Sequence, residues 1–285
     1  MRLLSAALAA ASLYAAISLL VACAGAARAP SLSARPVRVL VYNIHAGKDA
    51  AGADNLERVA GMVRDSAADL VLLQEVDSAT ERSGRVDQVA ELRRLTGYHG
   101  AFGNALAFQG GGYGIAILSR WPIVRDTLFR LPVAPAQERA GGSYEPRGAL
   151  YATVARGRDT LHVVNTHLDP SGDDGYRRQE AAAIVGILSR AARSADAGNA
   201  TLFGGDLNST PESAIHATFA STALRDAWEG CGVGDAFTYP ETRPVKRIDY
   251  LWVSAGVRCA SARVLASTIS DHRPVLFTLE IPTRR

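Results

Sequence analysis

Cysteine is scarce in this chain of 285 residues: there are three, Cys23, Cys231 and Cys259. None stands in Cys-x-x-Cys spacing, and no two of the six histidines lie four residues apart. Both absences argue against a zinc site built on thiolates or paired imidazoles. No interior run approaches the ~20 apolar residues that a membrane helix needs. A basic stripe is also missing. The formal charge is only +3, and cationic pairs such as Arg93-Arg94 and Arg177-Arg178 are scattered, so charge does not select nucleic acid as a partner. Gly110-Gly111-Gly112 lacks the Lys-Ser/Thr that would make it a Walker loop, and it reads as a flexible rim loop. No internal repeat, low-complexity insert or second linker is visible. What remains is a globular composition, 48% hydrophobic and 21% charged, enough for a sizeable core in one domain.

The N-terminus differs from the rest. Arg2 precedes an Ala/Leu-rich apolar stretch that runs to Val21 and Ala22, the form of an export signal. The stretch closes on Leu20-Val21-Ala22-Cys23, which resembles the lipobox of bacterial lipoproteins, where the cysteine is acylated after cleavage just before it. That resemblance implies a signal peptide over 1–22, a lipidated Cys23 and a tether over 23–35. The folded domain then spans 36–285, in an exported protein held at the cell envelope, on the outer membrane or in the periplasm. Two alternatives stay open. Ala27-Arg28-Ala29 offers small residues for an ordinary secretory cut after Ala29, and an uncleaved anchor is the third form. In an oxidising compartment Cys231 and Cys259 form a disulfide, or else remain two buried thiols.

From Pro36 on, strands and helices alternate. Val37–Val41 is β-branched and apolar and ends at Asn43. Asp54-Asn55-Leu56-Glu57 has the form of a capping box opening a helix with Leu56, Val59, Ala60 and Val63 on one face. Asp69–Leu73 reads as a buried strand with Glu75 just past it, and a helix covers Arg85 to Leu95 before Gly97. Strands follow at 114–118, 150–154, 161–165, 201–203, 248–253 and 275–281, with a strong helix over 178–192. Asn43, Glu75, His167 and Asp206 with Asn208 follow these apolar runs, Asp249 lies within the 248–253 run, and Asp271-His272 precede the last one. Each alone is an ordinary turn or strand-end residue. Together they would gather at one rim of a sheet.

An oxygen-only set of carboxylates and amides suits a hard divalent cation, Mg²⁺ or Mn²⁺. Two histidines beside it, His167 and His272, suit acid/base work or donation to a developing charge. A cation, a base for water and cationic donors together fit displacement at phosphorus.

At this point the chain resembles the endonuclease/exonuclease/phosphatase superfamily, the DNase I-like metal-dependent phosphoesterases. The carrying motifs, in order, are Asn43, Gln74-Glu75, Gly114–Arg120, Asn165-Thr166-His167, Gly205-Asp206-Leu207-Asn208, Arg247-Ile248-Asp249-Tyr250 and Ser270-Asp271-His272. The resemblance implies a four-layer α/β/β/α sandwich of two mixed sheets. It implies Glu75 as metal ligand, with Asn43 beside it and Asp271 on or near the metal. His272 would be base or phosphate-side donor, oriented by Asp249. Asp206 would activate the water, Asn208 would hold it, and His167 would donate to the phosphate or leaving group. Tyr113 and Arg147 would touch the phosphate. His45, His99, His162 and His216 read as structural or surface residues. The substrate would be a phosphoester: nucleic acid, a phospholipid headgroup or a small phosphate ester. A sphingomyelinase-like phospholipase and a catalytically silent binding module are the alternatives, and a monomer is expected.

Overall fold

The computed structural model describes residues 36–134, 142–194 and 199–283. The signal, Cys23 and the tether lie outside them. In chain order the strands are β1 (Val37–Asn43), β2 (Leu70–Ser78), β3 (His99–Phe108), β4 (Gly111–Ser119), β5 (Ile123–Arg130), β6 (Gly148–Arg156), β7 (Asp159–His167), β8 (Ala200–Asp206), β9 (Leu224–Asp226), β10 (Asp249–Ser254), β11 (Arg258–Val264) and β12 (Val275–Glu280). The helices are α1 (Leu56–Asp65), α2 (Gln88–Thr96), α3 (Gly175–Ser194), α4 (Ala214–Ala220) and α5 (Ala227–Cys231).

Two six-stranded sheets form, in the orders β11-β12-β1-β2-β4-β3 and β5-β6-β7-β8-β10-β9. Each has one parallel pair at its centre, β1 with β2 and β7 with β8, and antiparallel neighbours elsewhere. The same plan therefore occurs twice: a parallel pair joined through a helix, then an antiparallel strand beside its second member. The central strands are apolar on both faces because both faces are covered. In β1, Val37, Val39 and Val41 join the core between the sheets, while Leu40 and Tyr42 pack with Val59, Val63, Val89 and Leu92 of α1 and α2. On the other side Val164 and Phe203 pack against Ala181 and Ile184 of α3 and Ile215 and Phe219 of α4. Helix, sheet, sheet and helix make the expected four layers.

Several local expectations change. The capping box at Asp54 does not form. Asp54 pairs with Lys48, the cap position belongs to Asn55, and the Asn55 amide reaches the carbonyls of Ile44, Lys48 and Ile269 instead. Tying the loop over 44–48 to the distant Ile269 outweighed capping one helix. The second helix begins at Gln88, where Asp87 accepts from Ala90 N, and ends at Gly97 with φ 74°. Gly111 and Gly112 are not a rim loop but the start of β4. A Cβ on Gly111 would meet the Ser78 carbonyl at 2.3 Å, so glycine permits a close backbone approach there. Cys231 and Cys259 are joined as a disulfide between α5 and β11, which decides between the two open forms.

Candidate active site

Register alone assembles half of the site. In the second sheet His167 of β7 is paired with Asp206 of β8, and Asp206 with Asp249 of β10. Three polar side chains thus stand abreast at the rim where the parallel pair ends. Gly205, at φ 134°, makes room for this: a Cβ there would lie 1.9 Å from the Thr166 carbonyl. His272, on the loop before β12, closes the group. Its Nδ1 is 3.0 Å from Asp249 Oδ2 and its Nε2 is 3.6 Å from Asp206 Oδ2.

The first sheet supplies the facing half. Glu75 does not follow its strand but lies inside β2, in a bulge where Gln74 and Glu75 together oppose Ile115. Its φ of 54° is left-handed, a conformation that costs a non-glycine residue of order 1 kcal/mol and persists at functional sites. The bulge turns Gln74 inward, where it donates to Asn165 Oδ1 at 2.7 Å, and aims Glu75 into the cleft. Asn43 bridges the halves. Its Oδ1 accepts from His45 N–H at 3.0 Å, so its Nδ2 faces Glu75 at 3.0 Å and Asp206 at 3.1 Å. In this orientation Asn43 offers the carboxylates its nitrogen and holds Glu75 in place.

The electrostatics follow from burial. Desolvation, then the Asp249 charge, lifts Asp206 to about 7, against the pull of His272, Asn208 N–H and Asn43. Burial alone would lower His272, but Asp249 and Asp206 outweigh it and raise it to about 10. His272 is therefore an imidazolium near neutral pH, clamped between two carboxylates. Asp206, Asp249 and His272 are close enough to resemble a metal cluster. The proton on His272 is already their counter-cation. His167 goes the other way: burial, then Arg147 and His272, hold it well below its ordinary value. It is neutral, and its Nε2 faces the Asn208 amide nitrogen at 3.1 Å, whose orientation is set by donation to Leu168 O at 2.9 Å. His167 Nε2 is thus an acceptor here, and donating from that atom requires Asn208 to release it. Asn208 is both a turn residue and a site residue, with φ 45° and its N–H on Asp206 Oδ1.

These groups open into a cavity of about 580 Å³ lined by Glu75, Arg147, His167, Asp206, Asn208, Asp271 and His272. Tyr113 is beneath this surface, 2% exposed, with its hydroxyl unpaired and its ring under Arg82. His45, read from sequence as structural, lines the cavity, with Nδ1 buried and unpaired. Tyr239 and Lys246, on the segment before β10, carried no sequence signal and also line it. The Tyr239 ring packs 4.8 Å from the His272 ring. Arg247 of the Arg-Ile-Asp-Tyr motif is not in the cleft. It binds Asp226 and lies over Tyr250, a structural tie that also takes in His216.

A family model for the endonuclease/exonuclease/phosphatase family matches residues 40–272. The chain belongs to that family. An uncharacterized Escherichia coli (strain K12) protein, YbhP, is 27% identical over 252 residues, 84% of this chain and 94% of that one. The inositol phosphosphingolipids phospholipase C of Schizosaccharomyces pombe is 29% identical over 203 residues, 68% of this chain and 45% of the relative. The crystal structure of an endonuclease/exonuclease/phosphatase from Beutenbergia cavernae superposes with a TM-score of 0.72 at 24% identity, covering 87% of this chain and 72% of that one. Members of this family are phosphoester hydrolases, and the fold is the DNase I-like one.

Proposed function

We propose that this protein hydrolyses a phosphodiester or phosphomonoester with the help of Mg²⁺ or Mn²⁺. The observation that carries the reading is the row His167–Asp206–Asp249 bridged by His272 and faced across Asn43 by Glu75. The residues fit a hard cation. Glu75 and Asp271 both line the cleft, and neither takes part in an ion pair among the described residues; Glu75 Oε1 accepts from Asn43 and Asp271 Oδ1 from Ser270, which leaves each carboxylate a second oxygen for a cation in a site rich in negative charge. Glu75 and Asp271 would hold the ion, with Asn43 fixing Glu75. Bound there, the cation would neutralise phosphoryl oxygens and so favour attack at phosphorus.

The chain's own residues do the rest. Asp206, raised to about 7, suits a general base that takes the proton of the attacking water at neutral pH. Asn208 keeps Asp206 aimed through its backbone N–H. The His272 imidazolium, oriented by Asp249, donates to a non-bridging phosphoryl oxygen as charge builds. As the bond from phosphorus to the leaving oxygen breaks, that oxygen departs on the His167 side and takes its proton from solvent water, while neutral His167, which accepts at Nε2, holds the Asn208 amide toward it. Arg147 supplies a fixed positive charge in the same wall.

Hydrolysis of bis-p-nitrophenyl phosphate, with and without EDTA and with Mg²⁺ added back, tests the reading. Activity should vanish with EDTA, return with Mg²⁺ and be lost in His272→Ala. A rate indifferent to EDTA would remove the cation from the scheme. The likeness to the yeast phospholipase C favours a lipid headgroup as substrate class. Sphingolipid vesicles, plasmid DNA and phosphorylated sugars assayed side by side decide that point.

A further inference from the structure

Arg147 is 3% exposed and Glu145 is 1% exposed, and Arg147 Nη1 lies 2.8 Å from Glu145 Oε1. Glu145 does not line the cleft, whereas Arg147 does. The carboxylate thus occupies one corner of the guanidinium from behind. The rest of that planar group is left open. Among the described residues Arg147 Nη2 reaches only the Gly142 carbonyl, at 3.4 Å, and Nε is buried with no partner. Glu145 Oε2 also accepts from Gly142 N–H at 3.1 Å, so one carboxylate fixes both the arginine and the loop that carries it. A second orphaned donor, the Tyr113 hydroxyl, belongs to the same surroundings: the charges of Glu145 and Arg147 both act on it, as Arg147 acts on His167. Buried donors without acceptors are costly, and here they stand beside the reaction centre. An oxyanion with several lone pairs is the ligand that would satisfy them, and a guanidinium offers such an anion a planar edge.

We propose that Glu145 is a positioning residue: it locks Arg147 so that the free edge of the guanidinium meets a non-bridging phosphoryl oxygen beside His167. The inference rests on the phosphoesterase reading above. Glu145 itself touches no substrate. Its work is to hold the charge of Arg147 in the wall, since an unpaired guanidinium at this depth would turn toward solvent.

The test is a double-mutant cycle, read both as kcat/KM on bis-p-nitrophenyl phosphate and as inorganic phosphate binding by calorimetry, on the full chain with Mg²⁺. Glu145→Gln should lower kcat/KM and weaken phosphate binding by about tenfold each, Arg147→Ala should lower them further, and the double variant should match Arg147→Ala alone. Losses that multiply, or phosphate binding unchanged in Glu145→Gln, would overturn the proposal, because both mean that Glu145 acts independently of Arg147. If Glu145→Gln does not fold, Glu145→Asp carries the test. It keeps the charge but shifts it, so phosphate binding should weaken while the melting temperature holds, and unchanged binding overturns the proposal equally. Failure of the wild type to hydrolyse any ester would instead strike the phosphoesterase reading, and phosphate binding would still report on Glu145.

Discussion

His272 and Asp249 show how little a single side chain decides alone. The imidazole is charged because two buried carboxylates outvote its burial, and it points correctly because one of them holds Nδ1. Asp249→Asn keeps the shape and removes the charge, so we expect a drop in kcat of about 10- to 100-fold with the fold retained, checked by steady-state kinetics beside circular dichroism. Glu180 offers a separate test. Burial raises it to about 7, against donation from Asp169 N–H and the pull of Arg147. Its unfolded value is the ordinary 4.5. Between these values the folded state keeps a proton that the unfolded state has lost, so Glu180 makes stability fall as pH rises through that window and level off above it. Glu180→Gln should flatten the fall and gain up to about 3 kcal/mol at pH 8, measured by urea unfolding at pH 5 and pH 8. A variant that tracks the wild type at both values would contradict this.

At the level of strands and helices, the apolar runs were legible in the sequence and the turns were less so. β1 and β2 are buried on both faces and stand out as Val/Leu runs, and β8 shows as the short apolar Leu202-Phe203 stretch before Gly204-Gly205. β5 and β11 lie at sheet edges, are half exposed and alternate weakly, so sequence pattern passed over them. The site residues were legible because each is polar within or beside an apolar run. What could not be read was conformation: the bulge that swings Glu75 outward, and the pairing of Gln74 with Asn165 across the sandwich. A hint existed, since Gln74 and Asn165 are amides inside apolar strands and buried amides require partners. Gly205→Ala is the sharpest test at this level. The added methyl meets a carbonyl at 1.9 Å in a backbone conformation L residues rarely adopt, so stability should fall by about 3 kcal/mol or more, read as a lower urea midpoint.

Across the whole molecule, the two sheets are tied at their centre by amides. Asn165 donates to the carbonyls of Leu73 and Ala116 and accepts from Gln74, so one residue of the second sheet fastens two strands of the first. Asn165→Leu would leave those groups unpaired and should cost about 3 kcal/mol, while lowering activity as Glu75 and Asp206 lose their alignment. Equal activity at saturating Mg²⁺ would show that the tie serves stability alone. The N-terminal reading is tested at the same scale: Cys23→Ser should move the protein from the membrane fraction to the soluble one, with unchanged kcat for the released chain.

The nested order of the strands has a consequence for when the protein becomes an enzyme. The second sheet is built from one continuous stretch, Ile123 to Ser254, but the first cannot finish until β12 lies down beside β1. His272 rides on the approach to that last strand. A chain emerging from synthesis, or cut before Asp271, already holds Glu75 yet lacks both Asp271 and the His272 imidazole, and under the proposed chemistry it stays unarmed until its final strand is in place.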